Sequence, residues 1–357
     1  MERAISMYKE ALSISDTSLS SKFHLGLMFH KLNQFHEALQ CFSAVLMKLS
    51  EDKNIYVNRG LVYQDMGNHQ FAVADFNTAL KLDPEFSEAY FHRGISELKS
   101  RRPKDAIDDF KKALDLEQSN DNPGIYDGLG CCYHALKDYE IALSYMDLAI
   151  SKDGNNVSFL MNRSQCFFEL GRYKESIEDL ERALTINQDD PQVFYKLGLA
   201  YYAFEKYRRC IKYLKQALKN KPYVTYEADI LYHIGLSYCN LEKFEKSIYP
   251  YARCIEMIPS EIRYIHERAK AYQMIGEHEL AIEDFSSVIK KNPKNAHAYF
   301  RRAFSHKAMK QYDDAAEDFE KAKSLDPLNP KLVVNYKKLS GITCIVLCKP
   351  GDEKTFL

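Results

Sequence analysis

The chain has 357 residues, of which 46% are hydrophobic and 28% are charged, and its formal net charge is −1. This length is large for one compact core, so two domains or an extended array of small units are expected. The neutral balance disfavours nucleic acid as a partner, and the nine scattered cysteines predict a reducing environment with no metal site and no cofactor.

The first predicted element is a single amphipathic helix over residues 1–18. Within the opening stretch MERAISMYKEALSISD, Ala4, Tyr8 and Ala11 occupy the packing positions. A first helix to pair with this segment is missing, so we interpret it as a half repeat. Its apolar face is covered by a longer array or by a partner, or the segment frays.

From residue 19 onward, a pattern of two amphipathic helices recurs with a period of 34 residues. The pattern has a small residue at place eight, Ala at place twenty, an aromatic residue at place 24, Ala at place 27 and Pro at place 32. The nine complete units are residues 19–52, 53–86, 87–122, 123–156, 157–190, 191–227, 228–261, 262–295 and 296–329.

This pattern resembles the tetratricopeptide repeat (TPR). The resemblance implies an all-α fold, a right-handed superhelical solenoid of antiparallel helix pairs in which neighbouring pairs complete one another's core. On this basis we expect an array over residues 1–340, made of the half repeat at 1–18, nine repeats at 19–329 and a capping helix at 330–340.

Small residues are expected where the two helices of a unit cross closely, because a larger side chain would force them apart. The glycines at place eight are Gly26, Gly60, Gly94, Gly130, Gly198 and Gly235. The alanines expected to face them are Ala38, Ala72, Ala106, Ala142, Ala281 and Ala315.

In some units, a charged residue lies in the packing face of the first helix and another in that of the second helix. Five units have Arg at place seven and Asp at place 23, whereas the other four have neither. An ion pair between the two helices of a unit explains this joint occurrence, since either charge alone would be buried without a partner. The expected pairs are Arg59–Asp75, Arg93–Asp109, Arg163–Asp179, Arg268–Asp284 and Arg302–Asp318.

The seventh unit departs from the regular pattern. Three extra residues precede it, and Pro250 lies inside its second helix. Proline removes a helix hydrogen bond and clashes with the preceding turn. We therefore expect a longer first helix, a bend in the second helix and a change in repeat-to-repeat rotation across residues 205–255.

The chain ends in a strand-like tail, residues 341–357. Its apolar run ITCIVLC is too short to span a bilayer, and the N-terminus lacks a cleavable apolar segment. We expect a cytoplasmic protein without membrane partners. We also expect Ile342, Ile345 and Leu347 to be covered, by folding back on the capping helix or by a partner.

No catalytic constellation is present in the sequence, so we do not expect an enzyme. By resemblance, the first helices line an inner groove, and places two, five, nine and twelve face a ligand. The apolar and aromatic character of these places suits an amphipathic helix or an extended segment. The candidate partner-binding residues, with two asparagines at place six, are Phe23, Leu27, Val57, Asn58, Leu61, Phe91, Ile95, Met161, Asn162, Gln165, Tyr195, Leu199, Tyr202, Tyr232, Leu236, Phe300 and Phe304.

Some TPR co-chaperones bind acidic C-terminal peptides with Lys at place five and Asn at places six and nine. Asn58 and Asn162 match place six, but no unit has Lys at place five. The resemblance therefore does not extend to that set of residues, and this function is disfavoured.

A basic patch and an acidic counterpart interrupt the neutral average. The acidic one comprises Asp313, Asp314, Glu317, Asp318 and Glu320. Each patch is interpreted as a solvated outer face or as a contact surface. For the basic patch, the contact would be with an acidic filament or tail. The basic patch comprises Lys206, Arg208, Arg209, Lys212, Lys215 and Lys219, with Lys221 following it.

The sequence therefore predicts a protein–protein interaction scaffold or adaptor that is part of a larger complex. Two alternatives remain open: a structural component of a cytoskeletal or ciliary assembly, and a regulatory subunit of an enzyme complex. The identity of the protein partner is not encoded in these patterns.

Overall fold

The structure, a computed structural model, describes residues 19–117, 122–220 and 224–327, with side chains in the last range from residue 226 onward. The predicted half repeat at 1–18, the capping helix at 330–340 and the tail at 341–357 lie outside the described residues. The chain divides into two compact units, residues 1–187 and residues 188–357. Each unit is described by itself.

The first unit contains five helix pairs in its described part. Each helix packs mainly on its neighbours in sequence, and short connections make the paired helices antiparallel. The helices are α1 (Leu19–Lys31), α2 (Phe35–Leu46), α3 (Lys53–Asp65), α4 (His69–Leu82), α5 (Ser87–Lys99), α6 (Pro103–Leu116), α7 (Pro123–Ala135), α8 (Tyr139–Lys152), α9 (Val157–Glu169) and α10 (Tyr173–Ile186).

The second unit repeats this arrangement with four helix pairs in its described part. Strands are absent from the described residues of both units, which confirms the all-α prediction. The helices are α11 (Pro191–Ala203), α12 (Tyr207–Lys219), α13 (Val224–Asn240), α14 (Phe244–Met257), α15 (Ile262–Ile275), α16 (His278–Lys291), α17 (Ala296–Ala308) and α18 (Tyr312–Leu325).

Side-chain caps fix where several first helices begin. The first backbone N–H groups of a helix lack partners inside the helix, and an Asp or Asn oxygen can accept from them. Asp52 caps α3 by accepting from the backbone N–H of Asn54. Asp190 caps α11 in the same way and is followed by Pro191, which needs no N–H partner at this position.

The turn inside each repeat uses a left-handed backbone conformation at place 15. Glycine occupies this place at Gly67, Gly171 and Gly276, with φ between 72° and 87°. The other six repeats have a residue with a Cβ there, at φ between 56° and 68°. These six are Asn33, Arg101, Lys137, Glu205, Glu242 and Lys310. All nine repeats therefore turn in the same way, and most of them bear the steric cost of a non-glycine residue in this region.

The side chain at place 24 fills the space that the small residues leave. A Cβ added at Gly60 would lie 2.7 Å from the Phe76 ring, and one added at Gly235 would lie 2.5 Å from the Tyr251 ring. The prediction placed alanine opposite these glycines. The six alanines are fully buried, but the nearest side chain to each place-eight glycine is the bulky residue at place 24.

The seventh repeat contains the predicted longer first helix. Helix α13 has 17 residues, compared with 13 in α11. Pro250 lies inside α14, which is one continuous helix from Phe244 to Met257. The expected bend in α14 and the expected change in rotation remain predictions.

Candidate functional site

The five predicted Arg–Asp pairs all form within their own repeats. In each pair, Nε and one terminal nitrogen of the arginine donate to the two carboxylate oxygens of the aspartate. For Arg268 and Asp284 both distances are 2.8 Å, and for Arg302 and Asp318 they are 2.8 and 2.7 Å. Arg59–Asp75, Arg93–Asp109 and Arg163–Asp179 have the same two-bond geometry. The prediction from joint occurrence is confirmed.

In four of the five pairs, the remaining guanidinium nitrogen donates a hydrogen bond to a residue of the preceding repeat. Nη1 of Arg93 donates to Oδ1 of Asn77 at 2.6 Å, and Nη1 of Arg163 donates to Oδ1 of Asp147 at 2.7 Å. Arg59 and Arg302 reach Ser43 and Ser286 in the same manner. In each case the acceptor is at place 25 of the repeat before.

Arg268 is the exception, because place 25 of the preceding repeat is Ala252, which has no polar side chain. The hydrogen bond that the arginine donates to the aspartate raises the pKa of the arginine in every pair. Each pair therefore joins the first and second helices of its repeat through charge-assisted hydrogen bonds.

The predicted partner-binding residues are, with one exception, half-buried. Val57 is 2% exposed and packs against Ala72, Phe76 and Ala79 in the core of its repeat. Its inclusion in a partner-binding surface was therefore wrong. The half-buried residues are Phe23, Leu27, Asn58, Leu61, Phe91, Ile95, Met161, Asn162, Gln165, Tyr195, Leu199, Tyr202, Tyr232, Leu236, Phe300 and Phe304.

In the first unit, an acidic residue lies among these half-buried side chains. Asp127, at place five of the fourth repeat, accepts hydrogen bonds from Nδ2 of Asn162 at 3.1 Å to Oδ1 and 2.9 Å to Oδ2. Burial raises the pKa of Asp127 to about 6, although the hydrogen bonds from Asn162 and Cys131 oppose this shift. The sequence analysis included Asn162 but missed Asp127.

Two other predicted polar residues are occupied within their own helices. The side-chain amide of Asn58 donates to the carbonyl of Asn54 at 2.8 Å. The side-chain amide of Gln165 donates to Glu169 at 2.8 Å. Both contacts link residues one turn apart, so these amides are oriented along the helix.

In the second unit, tyrosines and charged residues replace much of the aliphatic character. The Tyr195 hydroxyl donates to Asp229 at 2.6 Å, and the Tyr202 ring meets the His233 ring edge-on. Burial opposes ionisation of Asp229, but its hydrogen bonds with His233 and Tyr195 lower the pKa of the carboxyl overall. Sequence analysis missed Asp229 and His233, because neither belongs to a recurring pattern.

Further along the same unit, the first helices contain a compensated charge cluster. Glu267 on α15 accepts from Nζ of Lys270 at 2.9 Å and lies beside His266. Burial disfavours its ionisation, but His266 and Lys270 together lower the pKa of Glu267 to about 2. The negative charge here is neutralised by neighbours of the same chain, unlike that of Asp127.

The predicted basic patch is exposed on the second helix of the sixth repeat. Its six residues, Lys206, Arg208, Arg209, Lys212, Lys215 and Lys219, are all exposed. Arg209 packs over the Tyr201 ring, and Lys215 donates to the Tyr238 hydroxyl at 3.1 Å. Lys221 lies outside the described residues.

The acidic counterpart on α18 is smaller than the sequence indicated. Asp313, Asp314, Glu317 and Glu320 are exposed. Asp318 is buried at 4% exposure, because it pairs with Arg302. It therefore does not contribute to a surface, which corrects the sequence-based grouping.

The buried thiols are not activated. Burial raises the pKa of Cys132 and of Cys166 to about 12, so both remain protonated near neutral pH. No group of three His, Cys, Asp or Glu side chains in the described ranges could hold a metal ion. Among the helices that the structure describes, none is long and apolar enough to cross a membrane.

Family models for tetratricopeptide repeats match along the chain. Models described as "Tetratricopeptide repeat" match residues 54–86, 123–156, 191–223, 267–295 and 296–329, and a model described as "TPR repeat" matches residues 165–203. The matches at 123–156 and 296–329 have the same bounds as the repeats predicted from the sequence.

Several curated proteins are similar to parts of the chain. Hsp70-Hsp90 organizing protein 1 of Arabidopsis thaliana is 32% identical over 95 residues, 26% of this chain and 17% of that protein. DnaJ homolog subfamily C member 7 of Mus musculus is 25% identical over 159 residues, 42% of this chain and 32% of that protein. The chain therefore spans less than a third of the length of these relatives in the matched regions.

Solved structures share the fold at low sequence identity. The C-terminal part of a TPR repeat-containing protein from Cytophaga hutchinsonii has a TM-score of 0.58 and 18% identity, with 68% of this chain and 98% of that chain covered. Pseudomonas aeruginosa PilF has a TM-score of 0.52 and 19% identity, with 61% and 97% covered. Both likenesses concern the arrangement of helices alone.

Proposed function

Because the chain belongs to the tetratricopeptide repeat family, we propose that it is a protein–protein interaction scaffold. In this role its first-helix faces bind helical or extended segments of partner proteins. The observation that carries the proposal is the recurrence of half-buried aromatic and aliphatic side chains at places five and nine, such as Phe91 with Ile95 and Tyr195 with Leu199.

The physical reason is the apolar area that these side chains leave uncovered. A partner that covers them gains about 25 cal/mol for each Å² of apolar surface removed from water. Rings and branched aliphatic chains held by helices lose little conformational freedom on binding, which reduces the entropy cost of association. The repeat fold and its relatives also support a non-catalytic role.

The test is selection of partner segments on the full chain. A random peptide library is displayed and selected on the wild-type chain, and selected peptides are then measured against Ile95→Arg in the first unit and Leu199→Arg in the second. We expect each peptide to lose at least tenfold in affinity to one of these variants, because a charge is placed on an apolar contact.

The matched controls place the same charge on exposed apolar residues of second helices. Ile141→Arg serves the first unit and Leu280→Arg the second, since both side chains are at least 40% exposed. Equal losses for face and control variants, or no selected peptide, would contradict the proposal. Circular dichroism of each variant confirms that the helices are retained.

A second candidate function concerns the basic patch on α12. All six basic residues are exposed, which favours electrostatic binding of an acidic segment, such as an acidic filament or tail. Oligoglutamate is a suitable probe: its affinity should fall with added salt and should be weakened by Arg208→Glu with Lys212→Glu. Salt-independent binding, or binding unaffected by the reversals, would leave the patch as a solvated face.

Narrower roles remain hypotheses within this proposal. They are a place in a larger complex, a structural role in a cytoskeletal or ciliary assembly, and a regulatory role in an enzyme complex, all in the cytoplasm. Binding of acidic C-terminal peptides by the first-helix faces is not part of this proposal, since no repeat has Lys at place five and the fourth has Asp127 there.

A further inference from the structure

Asp127 is an uncompensated carboxylate in the middle of a predominantly apolar face. Its two oxygens share one neutral donor, the Asn162 amide, and the Cys131 thiol is 3.9 Å away. No ion pair joins Asp127 to a cation among the described residues. By contrast, the three buried aspartates of the first unit, Asp75, Asp109 and Asp179, are each paired with an arginine.

An apolar ring and two glutamates lie on the side of α7 toward the preceding repeat. Gly124 lies one turn before Asp127 on α7, and a Cβ built there would be 3.1 Å from the Phe91 ring. Phe91 lines a cavity of about 500 Å³ whose wall also includes the carboxylates of Glu88 and Glu117. An oxygen of Glu117, Oε2, is buried and has no hydrogen-bond partner.

The cationic groups near this face do not neutralise it. His92 lines the same cavity, and burial lowers its pKa to about 4, so the ring is neutral near neutral pH. Lys99 is exposed at the end of α5, and its positive charge opposes the rise in pKa that burial causes at the Cys131 thiol. It forms no ion pair with Asp127. Asp127 therefore has no cation of the chain paired with it, and the cavity lined by Phe91 has an unused hydrogen-bond acceptor on Glu117.

A partly buried carboxylate without a cation carries a desolvation cost, and a cation supplied on binding would relieve that cost. We infer that the first unit selects partner segments with a lysine or arginine flanked by apolar side chains, and that Asp127 binds the cationic group. The flanking apolar side chains contact Phe91 and Ile95 on one side and Met161 on the other. This inference rests on the proposed function of the first-helix faces.

Asp127 would then determine specificity rather than supply most of the affinity. The apolar contacts contribute binding energy to many sequences, whereas a charge-assisted hydrogen bond distinguishes a cationic side chain from a neutral one of similar size. Such a bond corresponds to a discrimination of about ten- to hundredfold.

The experiment uses the same random peptide library on the full chain, followed by a double substitution. Among the peptides that bind Ile95→Arg more weakly than the wild-type chain, the tightest binder is synthesised in two forms. One form keeps its lysine or arginine, and the other has glutamine at that position. Both peptides are measured by fluorescence anisotropy on the wild-type chain and on Asp127→Asn, which keeps the size of the side chain and can still contact Asn162.

We expect the glutamine peptide to bind about ten- to hundredfold more weakly than the cationic peptide on the wild-type chain. On Asp127→Asn the two peptides should bind equally. Asp108→Asn is the matched control, because Asp108 is exposed on α6, a second helix of the same unit; this variant should preserve the full preference.

The outcomes separate this inference from the proposed function. Peptides that need Ile95 but show no preference for a cation, or a preference that survives in Asp127→Asn, overturn the role of Asp127 and leave the scaffold proposal intact. If no selected peptide loses affinity on Ile95→Arg, then peptide binding by the first-helix face of the first unit is overturned, and the inference is overturned with it. Thermal unfolding of Asp127→Asn verifies that the variant is folded.

Discussion

Removing Asp284 should reveal how much one Arg–Asp pair contributes to stability. Arg268 and Asp284 make two hydrogen bonds of 2.8 Å, with side-chain exposures of 23% and 11%. Breaking a buried pair by removing one partner costs about 3–5 kcal/mol. Because Arg268 is partly exposed and water can solvate it, we expect Asp284→Ala to cost about 3 kcal/mol.

The neighbouring repeats provide an internal comparison for this value. When Asp179 is removed, Arg163 keeps Asp147 at 2.7 Å, whereas removal of Asp284 leaves Arg268 without a polar residue at place 25. Asp179→Ala should therefore cost less, about 1–2 kcal/mol. Glu283→Ala is the matched control for Asp284→Ala, because Glu283 is exposed and should change stability by at most about 0.5 kcal/mol.

The assay is urea unfolding followed by far-ultraviolet circular dichroism, with hydrogen exchange to localise the change to α15 and α16. Localisation is needed because repeat arrays can unfold in parts. The double variant Arg268→Leu/Asp284→Leu should be milder than Asp284→Ala, since no charge is left unpaired. A coupling energy below about 0.5 kcal/mol in the double-mutant cycle would refute the reasoning.

Three further predictions follow from the backbone, the packing and the pKa values. Lys137→Gly should stabilise the chain by about 0.5–1 kcal/mol, and Gly171→Ala should destabilise it by about 1 kcal/mol, since both positions have positive φ. The midpoints of urea unfolding measure both changes, and changes of the opposite sign would contradict this reasoning. Gly235→Ala should cost about 1–3 kcal/mol by overpacking against Tyr251, and an unchanged melting temperature would show that the ring moves freely. Asp127→Asn should stabilise the free chain by about 1–3 kcal/mol at neutral pH and by nothing below about pH 4.

The sign of the last prediction comes from the direction of the pKa shift. Burial raises the pKa of Asp127 to about 6, from its ordinary value of 3.8. The folded chain therefore binds a proton more readily than the unfolded chain, and its stability rises as the pH falls through about 6 toward 4. Asparagine removes the cost of the ionised form, so a gain that is independent of pH would contradict the assignment.

The repeat pattern predicted the fold because its period and its packing residues recur along the chain. The joint occurrence of Arg at place seven and Asp at place 23 predicted all five ion pairs, since either charge alone would be removed from water without a partner. The extra residues before repeat seven predicted the longer α13. These features depend on periodicity and local chemistry, which a sequence displays directly.

Features outside the periodic pattern were not predicted. The left-handed turn at place 15 was missed because six of the nine repeats have a residue other than glycine there. The turn is closed by a local backbone hydrogen bond, such as that from Asn68 N–H to the Tyr63 carbonyl. Asp127 was missed because a single aspartate on a helix resembles a solvated residue until its neighbours are known. Val57 was wrongly assigned to a surface because burial at place five depends on how the adjacent pair packs.

The hydrogen bond from each arginine to place 25 of the preceding repeat has a consequence for how such a chain can change in length. The acceptor is defined by its distance of 16 residues along the chain and not by its identity, since Ser43, Asn77 and Asp147 all serve. If residues 53–86 were deleted as a block, Arg93 would face Ser43 and would still find an acceptor. Loss of a whole repeat therefore preserves this hydrogen bond wherever the new place 25 can accept, whereas deletion of residues 262–295 would bring Arg302 opposite Ala252, which cannot.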